Sequence, residues 1–171
     1  MSLDERRCFF DVTLWDKPDP HQDIKQVWFT GVHSDVGGSY PEAQSGLSQL
    51  ALEWMLVEAM EAELKIDRNK ANVVLGRRAK PETWMPDYVE PNPLGDKHES
   101  LRGAWWLLEF LPHRYVTRES GSHIARYRIP MGSNRAIPER SVFHETMRFP
   151  PTDRLPKHYT TEPRCPFPDD V

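Results

Sequence analysis

A nearly continuous apolar stretch lies close to the beginning of the chain. Residues 26–32 read Gln-Val-Trp-Phe-Thr-Gly-Val, with β-branched and aromatic side chains almost throughout. A run of that kind is typical of a strand that is covered on both faces. The stretch from His33 to Tyr40 that follows is polar and contains Gly37 and Gly38, which tolerate positive φ angles. The pattern predicts a buried strand that ends in a tight loop.

Helical spacing begins after residue 45. Apolar positions over 46–65 recur every three to four residues and form a wide arc. Its members are Leu47, Leu50, Ala51, Leu52, Trp54, Met55, Leu56, Val57, Ala59 and Met60. A wide apolar arc predicts a largely buried helix, and Ser45 is the residue type that caps one. We expect this helix to pack on the strand over 27–32, which should be central or nearly central in its sheet.

The remaining predicted elements are shorter, and proline separates them. The spacing predicts proline-rich coil over 81–98, a helix from about 99 to 111 that Pro112 ends, and a hairpin over 114–129. A short helix is predicted around 142–148. Beyond residue 150 we expect a proline-rich tail, with three possible apolar anchors, Leu155, Tyr159 and Phe167.

Composition restricts the class of protein. The 171 residues have the length of one domain, and we divide them into a domain over 1–149 and a tail over 150–171. Hydrophobic residues at 38% and charged residues at 28% argue against wholesale disorder. The net charge of −4 indicates no global attraction to nucleic acid or to an anionic membrane. No apolar run approaches the roughly 20 residues that span a bilayer.

The two cysteines, Cys8 and Cys165, form neither a zinc motif nor a C-x-x-C pair. A reduced, cytoplasmic protein is therefore the default expectation, with one long-range disulfide left open. The 16 prolines exceed the roughly nine that average usage would place in a chain of this length. Much of the chain should therefore be irregular and held by aromatic packing.

His33 is the first candidate for chemistry, because the predicted strand delivers it at its carboxyl end, where α/β sheets gather catalytic groups. An imidazole there can act as a general base. Asp35 either interacts with the region of His33 or caps the backbone N–H groups of the glycine turn. His33 is alternatively an ordinary turn residue. A metal site at His33 and Asp35 would need further protein ligands that the spacing does not supply.

Three other features allow two interpretations each. The apolar run over 105–111 is either a lipid-facing lid or, as we prefer, a core helix. The arginines over 114–140 either bind a phosphate or, in our preferred interpretation, form the solvated face of a hairpin. His123 and His144 are either ligands or bases, or satisfied surface or core residues.

Two longer segments resemble a known family. They are Val27-Trp-Phe-Thr-Gly-Val-His33-Ser-Asp35-Val-Gly37-Gly38-Ser-Tyr40-Pro and Leu47-Ser-Gln-Leu-Ala-Leu-Glu-Trp-Met55. They resemble the signature of an uncharacterised α/β-hydrolase-like family that includes the phospholipase effectors of type VI secretion systems. The opening Asp4-Glu-Arg-Arg-Cys-Phe-Phe10 and the closing Val142-Phe-His-Glu-Thr-Met-Arg148 also look like that family. Ser39 departs from it, since members commonly carry a third glycine there.

The resemblance implies an α/β fold class, with this chain as the C-terminal portion of an α/β-hydrolase-like domain: a buried strand, covering helices, a hairpin and proline-rich coil. It implies a serine esterase or phospholipase in which a G-x-S-x-G serine, an acid and a histidine act together. His33 matches that histidine, Asp35 is the candidate catalytic carboxylate beside it, and Gly37 and Gly38 shape the loop or an oxyanion site. No cofactor and no metal are implied.

This chain contains no G-x-S-x-G. We therefore expect the nucleophile, the acid of the triad and most of the sheet to lie upstream, in a missing N-terminal part that is the main partner. The chain alone should be inactive, because a histidine cannot activate an absent nucleophile. The parent would take a lipid or ester substrate, bind no nucleic acid and be exported by a type VI system. The alternative is a non-catalytic binding module, and an exposed strand edge would allow pairing with another copy.

Overall fold

The computed structural model describes residues 1–15, 19–119, 122–148 and 155–168, and shows a mixed α/β arrangement. The helices are α1 His33–Gly37, α2 Gly46–Glu61, α3 Arg68–Val74 and α4 Trp105–Glu109. The strands are β1 Val27–Trp28, β2 His113–Glu119, β3 Ser122–Arg128, β4 Ser141–His144 and β5 Tyr159–Glu162. Single turns of 3-10 helix lie at Cys8–Phe10 and Glu42–Gln44.

The sheet that carries the site is parallel, in the order β1-β4-β5. Beyond β1, the first residues of the chain run alongside it, and Ser2 forms a parallel bridge with Phe29. The amide of Leu3 donates to the Phe29 carbonyl at 3.0 Å. Val27 and Trp28 are almost completely buried between these neighbours. The prediction of a buried strand is confirmed, although β1 is the outermost strand of the order β1-β4-β5 and is flanked on its other side by the bridge from Ser2.

Strand β1 is shorter than the predicted span of 26–32. The chain leaves the strand after Phe29, since Gly31 has a φ of +106° and turns the backbone towards α1. Residues 33–37 therefore form a short helix, where a loop was predicted. Gly38 follows with a φ of +74°, so the expected positive φ in the glycine pair occurs at its second member.

Helix α2 confirms the predicted helix, although it ends at Glu61 and not near residue 65. Ala51 packs against Val27 and Phe29, so the helix covers one face of the sheet as expected. Its first half is buried, and the second half is partly exposed. Ser45 occupies the N-cap position, but its hydroxyl donates to the Glu42 carbonyl at 2.7 Å and accepts no hydrogen bond from the first amides of the helix.

Two helix predictions are corrected. The segment 142–148 is strand β4 followed by a turn, because pairing with both β1 and β5 buries Phe143 within the sheet. The helix predicted over 99–111 is reduced to the five residues of α4. It is not a core helix either, since Leu107 is 70% exposed while its one buried residue is Glu109. Glu109 accepts hydrogen bonds from the amides of Cys8 and Gly132, which explains its burial.

The hairpin is confirmed as strands β2 and β3, which are antiparallel with Val116 opposite Ala125. The two residues at its turn, 120 and 121, lie outside the described part of the chain.

The segment expected to be a tail supplies two features of the sheet and core. Strand β5 pairs with β4, with Tyr159 opposite Ser141. Phe167 is 2% exposed and packs with Ala71 and Leu75, so the anchor predicted there is present. The buried carboxylate of Glu53 in α2 accepts the Phe167 amide and hydrogen bonds from two arginine side chains, Arg77 and Arg164.

Candidate active site

The turn that precedes α1 is built around Gly31. Its amide donates to Asp4 Oδ2 at 2.8 Å, and Asp35 packs directly against its α-carbon. A β-carbon at this position would lie 2.4 Å from that of Asp35, so a side chain does not fit. The positive φ also favours glycine. Gly31 thus allows the chain to place His33 at the first position of α1, shortly after the buried strand β1.

His33 is paired with a carboxylate that the sequence analysis did not select. Its Nδ1 lies 2.5 Å from Glu5 Oε2, and the Glu5 side chain is completely buried. Its Nε2 lies 3.0 Å from the Ser34 hydroxyl, and 38% of the His33 side chain is exposed. Phe10 stacks on the imidazole with ring centroids 4.4 Å apart. Glu5 therefore holds the ring at Nδ1 and Phe10 covers one face, while Nε2 meets the Ser34 hydroxyl on a partly exposed side chain.

Glu5 is embedded in donors. Arg7 donates from its amide at 3.0 Å and from Nε at 3.1 Å, and the Ser100 hydroxyl donates at 2.7 Å. Burial alone would raise the pKa of Glu5, but the hydrogen bonds from Arg7, Ser100 and His33 outweigh it and hold the pKa well below its usual range. The carboxylate beside His33 is therefore ionised at neutral pH.

Arg7 is the buried cation of this cluster. Its guanidinium lies 3.9 Å from the centroid of the Phe10 ring and 4.5 Å from that of Trp105, contacts that stabilise a cation electrostatically. One of its nitrogens, Nη2, lies 2.9 Å from His33 Nδ1. Arg7 thus balances the charge of Glu5 and also borders the imidazole.

Asp35 faces away from His33. Its Oδ1 lies 2.6 Å from His98 Nδ1, and its Oδ2 accepts the amides of Val32 at 2.9 Å and His98 at 3.1 Å. The structure thus brings together two histidine–carboxylate pairs, Glu5–His33 and Asp35–His98. The sequence left open whether Asp35 interacts with the region of His33 or caps the backbone of the turn. Its contacts are those of a residue that shapes the turn.

Gly37 and Gly38 are exposed at the end of α1, and a β-carbon on either would meet no atom within 4 Å. Within the described part of the chain, neither glycine forms a hydrogen bond with His33. They border an open cavity of about 450 Å³ whose other walls include Phe29, Ala51 and Trp54. The glycine pair is therefore on an accessible apolar surface between α1 and α2.

The other candidates lie elsewhere. His144 is 2% exposed, bonds Thr146 Oγ1 at 2.7 Å and stacks on Phe29, so it is a satisfied core histidine; burial lowers its pKa. The side chain of His123 is outside the described residues. Among the described residues, no three of the types His, Cys, Asp and Glu are arranged to hold a metal ion. Both cysteines are free, and burial raises the pKa of the Cys8 thiol to about 11.

Leu107 of α4 and three described arginines of the hairpin, Arg114, Arg126 and Arg128, lie on the surface. Phe110 and Leu111 are each more than half exposed. Arg128 pairs with Asp11 at 3.4 Å and borders the Tyr115 ring, in agreement with a solvated hairpin face. In the described part of the chain, no helix is long and apolar enough to cross a membrane.

The segment that contains both Glu5 and His33 is the part of the chain that matches a known family. Residues 1–58 match the model described as T6SS, Phospholipase effector Tle1-like, catalytic domain. A stretch of 46 residues is 44% identical to Uncharacterized protein YEL023C of Saccharomyces cerevisiae, and it covers 25% of this chain and 7% of that protein. The chain thus spans a small part of the length of this curated relative. No solved structure matches the chain.

Glu5, Arg7, His98 and Ser100 are the site residues that sequence reasoning missed. Glu5 and Arg7 lie in the opening segment that carried part of the family resemblance, which was the one signal available for them. His98 and Ser100 lie in or beside the coil between Pro81 and α4, where no periodicity or motif marks them. Their partners are 63 and 95 residues away along the chain.

Proposed function

We propose that this chain is the C-terminal portion of an α/β-hydrolase-like catalytic domain of the serine esterase type, related to type VI secretion phospholipase effectors, and that His33 is its general base. The observation that carries the proposal is the Glu5–His33 pair, in which a buried carboxylate holds Nδ1 while Nε2 reaches a hydroxyl at the protein surface. The family match over residues 1–58 supports the same class.

The proposed chemistry uses the two ring nitrogens of His33 in different ways. The nucleophilic serine comes from polypeptide outside these 171 residues, since they contain no G-x-S-x-G. His33 Nε2 takes the proton of that serine as its oxygen attacks the ester carbonyl, and then gives the proton to the leaving alcohol. Water repeats the two transfers and releases the acid. Glu5 accepts a hydrogen bond from Nδ1–H and stays ionised, which fixes the tautomer and stabilises the imidazolium.

The partners of this site are then the rest of the hydrolase domain and a lipid or other ester substrate, and the whole protein would be exported as an effector. The proposed chemistry calls for no metal or organic cofactor. The role of Gly37 and Gly38 in shaping the loop or an oxyanion site stays a prediction. The apolar surface beside the glycine pair is open enough to receive an acyl group.

A second candidate function is a non-catalytic binding module of the same descent. Two observations favour it: the absence of the nucleophile motif from the sequence, and the exposure of Leu107, Phe110 and Tyr127, which leaves apolar surface for a partner.

The test compares the chain alone with the chain co-expressed with the polypeptide encoded directly upstream. The pair should hydrolyse short nitrophenyl esters and phospholipids and react with a fluorophosphonate on an upstream serine, while the chain alone should do neither. Ser34→Ala should leave the labelling unchanged. Labelling of Ser34 in the chain alone would overturn the proposed division of the triad. A folded pair that neither hydrolyses nor labels would favour the binding module.

A further inference from the structure

The segment 97–100 contacts three acidic residues around the candidate base, although it lies outside the residues that match the family model. Lys97 pairs with Asp4 at 3.2 Å, His98 with Asp35 at 2.6 Å, and the Ser100 hydroxyl donates to Glu5 at 2.7 Å. Asp4, Glu5 and Asp35 in turn bind the backbone or side chain of residues 31–33. Each of these three carboxylates thus binds both residues 31–33 and the segment 97–100.

His98 is immobilised at both ring nitrogens and on one ring face. Nδ1 pairs with Asp35, and Nε2 lies 3.0 Å from Gln44 Oε1. Tyr40 stacks on the imidazole at a centroid distance of 3.6 Å. The backbone amide of His98 also donates to Asp35 Oδ2, the oxygen that accepts the Val32 amide. His98 therefore determines where Asp35 lies, and Asp35 determines where the chain enters α1.

Ser100 contacts Glu5, the carboxylate that pairs with His33. It donates to Glu5 Oε1, and the second oxygen, Oε2, is the one that pairs with His33 Nδ1. Because the carboxylate is a rigid plane, fixing Oε1 also fixes the direction in which Oε2 points. The Glu5 side chain is fully buried, so no water competes for this hydrogen bond.

We infer that His98 and Ser100 are positioning residues for the base, His98 through Asp35 and Ser100 through Glu5, so that the coil over 97–100 is part of the catalytic machinery. This inference rests on the proposed function of His33. Displacing a reacting group by about 1 Å can cost roughly 100-fold in rate. We therefore expect each loss to lower kcat between about tenfold and 100-fold, with KM changed less than about twofold, since His33 still takes part.

The pairing is tested on the chain alone by NMR of ¹⁵N-labelled histidine. Asp35→Asn should move the ring nitrogen signals of His98 most, and the Nδ1 signal of His33 by a smaller amount through the displaced turn before α1. Ser100→Ala should move the His33 Nδ1 signal, and Ser100→Thr, which keeps the hydroxyl, should restore it. If Asp35→Asn moves His33 and not His98, or if Ser100→Ala moves neither ring, the inference is wrong whatever the protein catalyses.

The effect on rate is tested in the co-expressed pair. His98→Phe keeps an aromatic ring against Tyr40 but removes the hydrogen bond to Asp35, and the exposed His158→Phe is the matched control. We expect a fall in kcat for His98→Phe and Ser100→Ala, recovery in Ser100→Thr, and no change in the control. Normal kcat in folded His98→Phe and Ser100→Ala would overturn the inference. Absence of activity in the unsubstituted pair would count against the proposed function instead, and the NMR result would still decide the pairing.

Discussion

The two histidine–carboxylate pairs of this protein have similar contacts at Nδ1 of the imidazole and different surroundings at Nε2. In each, the imidazole Nδ1 lies within 2.6 Å of a buried carboxylate, Glu5 for His33 and Asp35 for His98. The His33 side chain is 38% exposed and its Nε2 meets the Ser34 hydroxyl. The His98 side chain is 19% exposed, and Tyr40 and Gln44 enclose its ring.

Under the proposed function, this difference distinguishes the candidate base from a structural imidazole. A carboxylate at Nδ1 orients the ring in both pairs, but proton transfer needs a second nitrogen that a reactant can approach. The Nε2 of His33 meets a hydroxyl, which can itself give or take a proton, on a side chain that is 38% exposed. The Nε2 of His98 meets the amide oxygen of Gln44, and that side chain is 19% exposed. Pairing with a carboxylate is thus insufficient to identify a catalytic histidine, and the environment of the other nitrogen decides.

The largest expected effect is on the rate. In the co-expressed pair, His33→Ala should lower ester hydrolysis by about 10⁴-fold, because triad members act as a unit. If His98 acts through His33, the double variant with His98→Phe should be no slower than His33→Ala alone. Steady-state kinetics with circular dichroism to confirm folding would measure this. Additive losses would show that the two histidines act independently.

The two carboxylates should differ in their contribution to stability. Glu5→Gln leaves the Arg7 guanidinium buried without its counter-charge, and we expect a loss of about 3 kcal/mol in the free energy of unfolding. Asp35→Asn loses bonds from two backbone amides and His98, and should cost about 1.5 kcal/mol. Urea unfolding of the chain followed by circular dichroism compares them. A larger loss for Asp35→Asn would contradict the charge argument.

The glycines on either side of α1 provide a second contrast. Gly31→Ala places a β-carbon against Asp35 and requires a φ of +106°, so we expect a loss of about 3 kcal/mol in the free energy of unfolding. Gly38→Ala requires positive φ in open space and should cost about 1 kcal/mol. Thermal unfolding of the two variants checks the order. Equal losses would mean that contact with Asp35 does not restrict the turn.

The smallest effect is a difference in pH dependence. The pKa of Glu5 is lowered in the folded state, so its contribution to stability is present above the unfolded pKa and is lost as pH falls towards the folded one. Between pH 4.5 and 3.5 the chain should lose about 1 kcal/mol more than Glu5→Gln does. Urea titrations of both proteins at the two pH values measure it, and parallel losses would show that Glu5 is not the group responsible.

Local pattern was sufficient for four elements. The apolar run of β1, the wide arc of α2 and the turn-separated β2 and β3 each depend on neighbours within a few residues, so their periods appear in the sequence. Pattern failed for α4, since its apolar residues predicted burial and the one buried side chain is Glu109. It also failed for β4, whose strand conformation depends on partners more than 15 residues away on either side.

The sequence by itself determined that a buried strand precedes His33 and that a long helix covers that strand, whereas the turn at Gly31 was not predicted. The residues that surround His33 were decided by tertiary structure alone. Asp35 is the nearest carboxylate along the chain, but Glu5, 28 residues away, is the one that reaches the imidazole. The reason is the parallel path of the first residues beside β1, which places Glu5 under His33, while the turn at Gly31 directs Asp35 to the opposite side, towards His98.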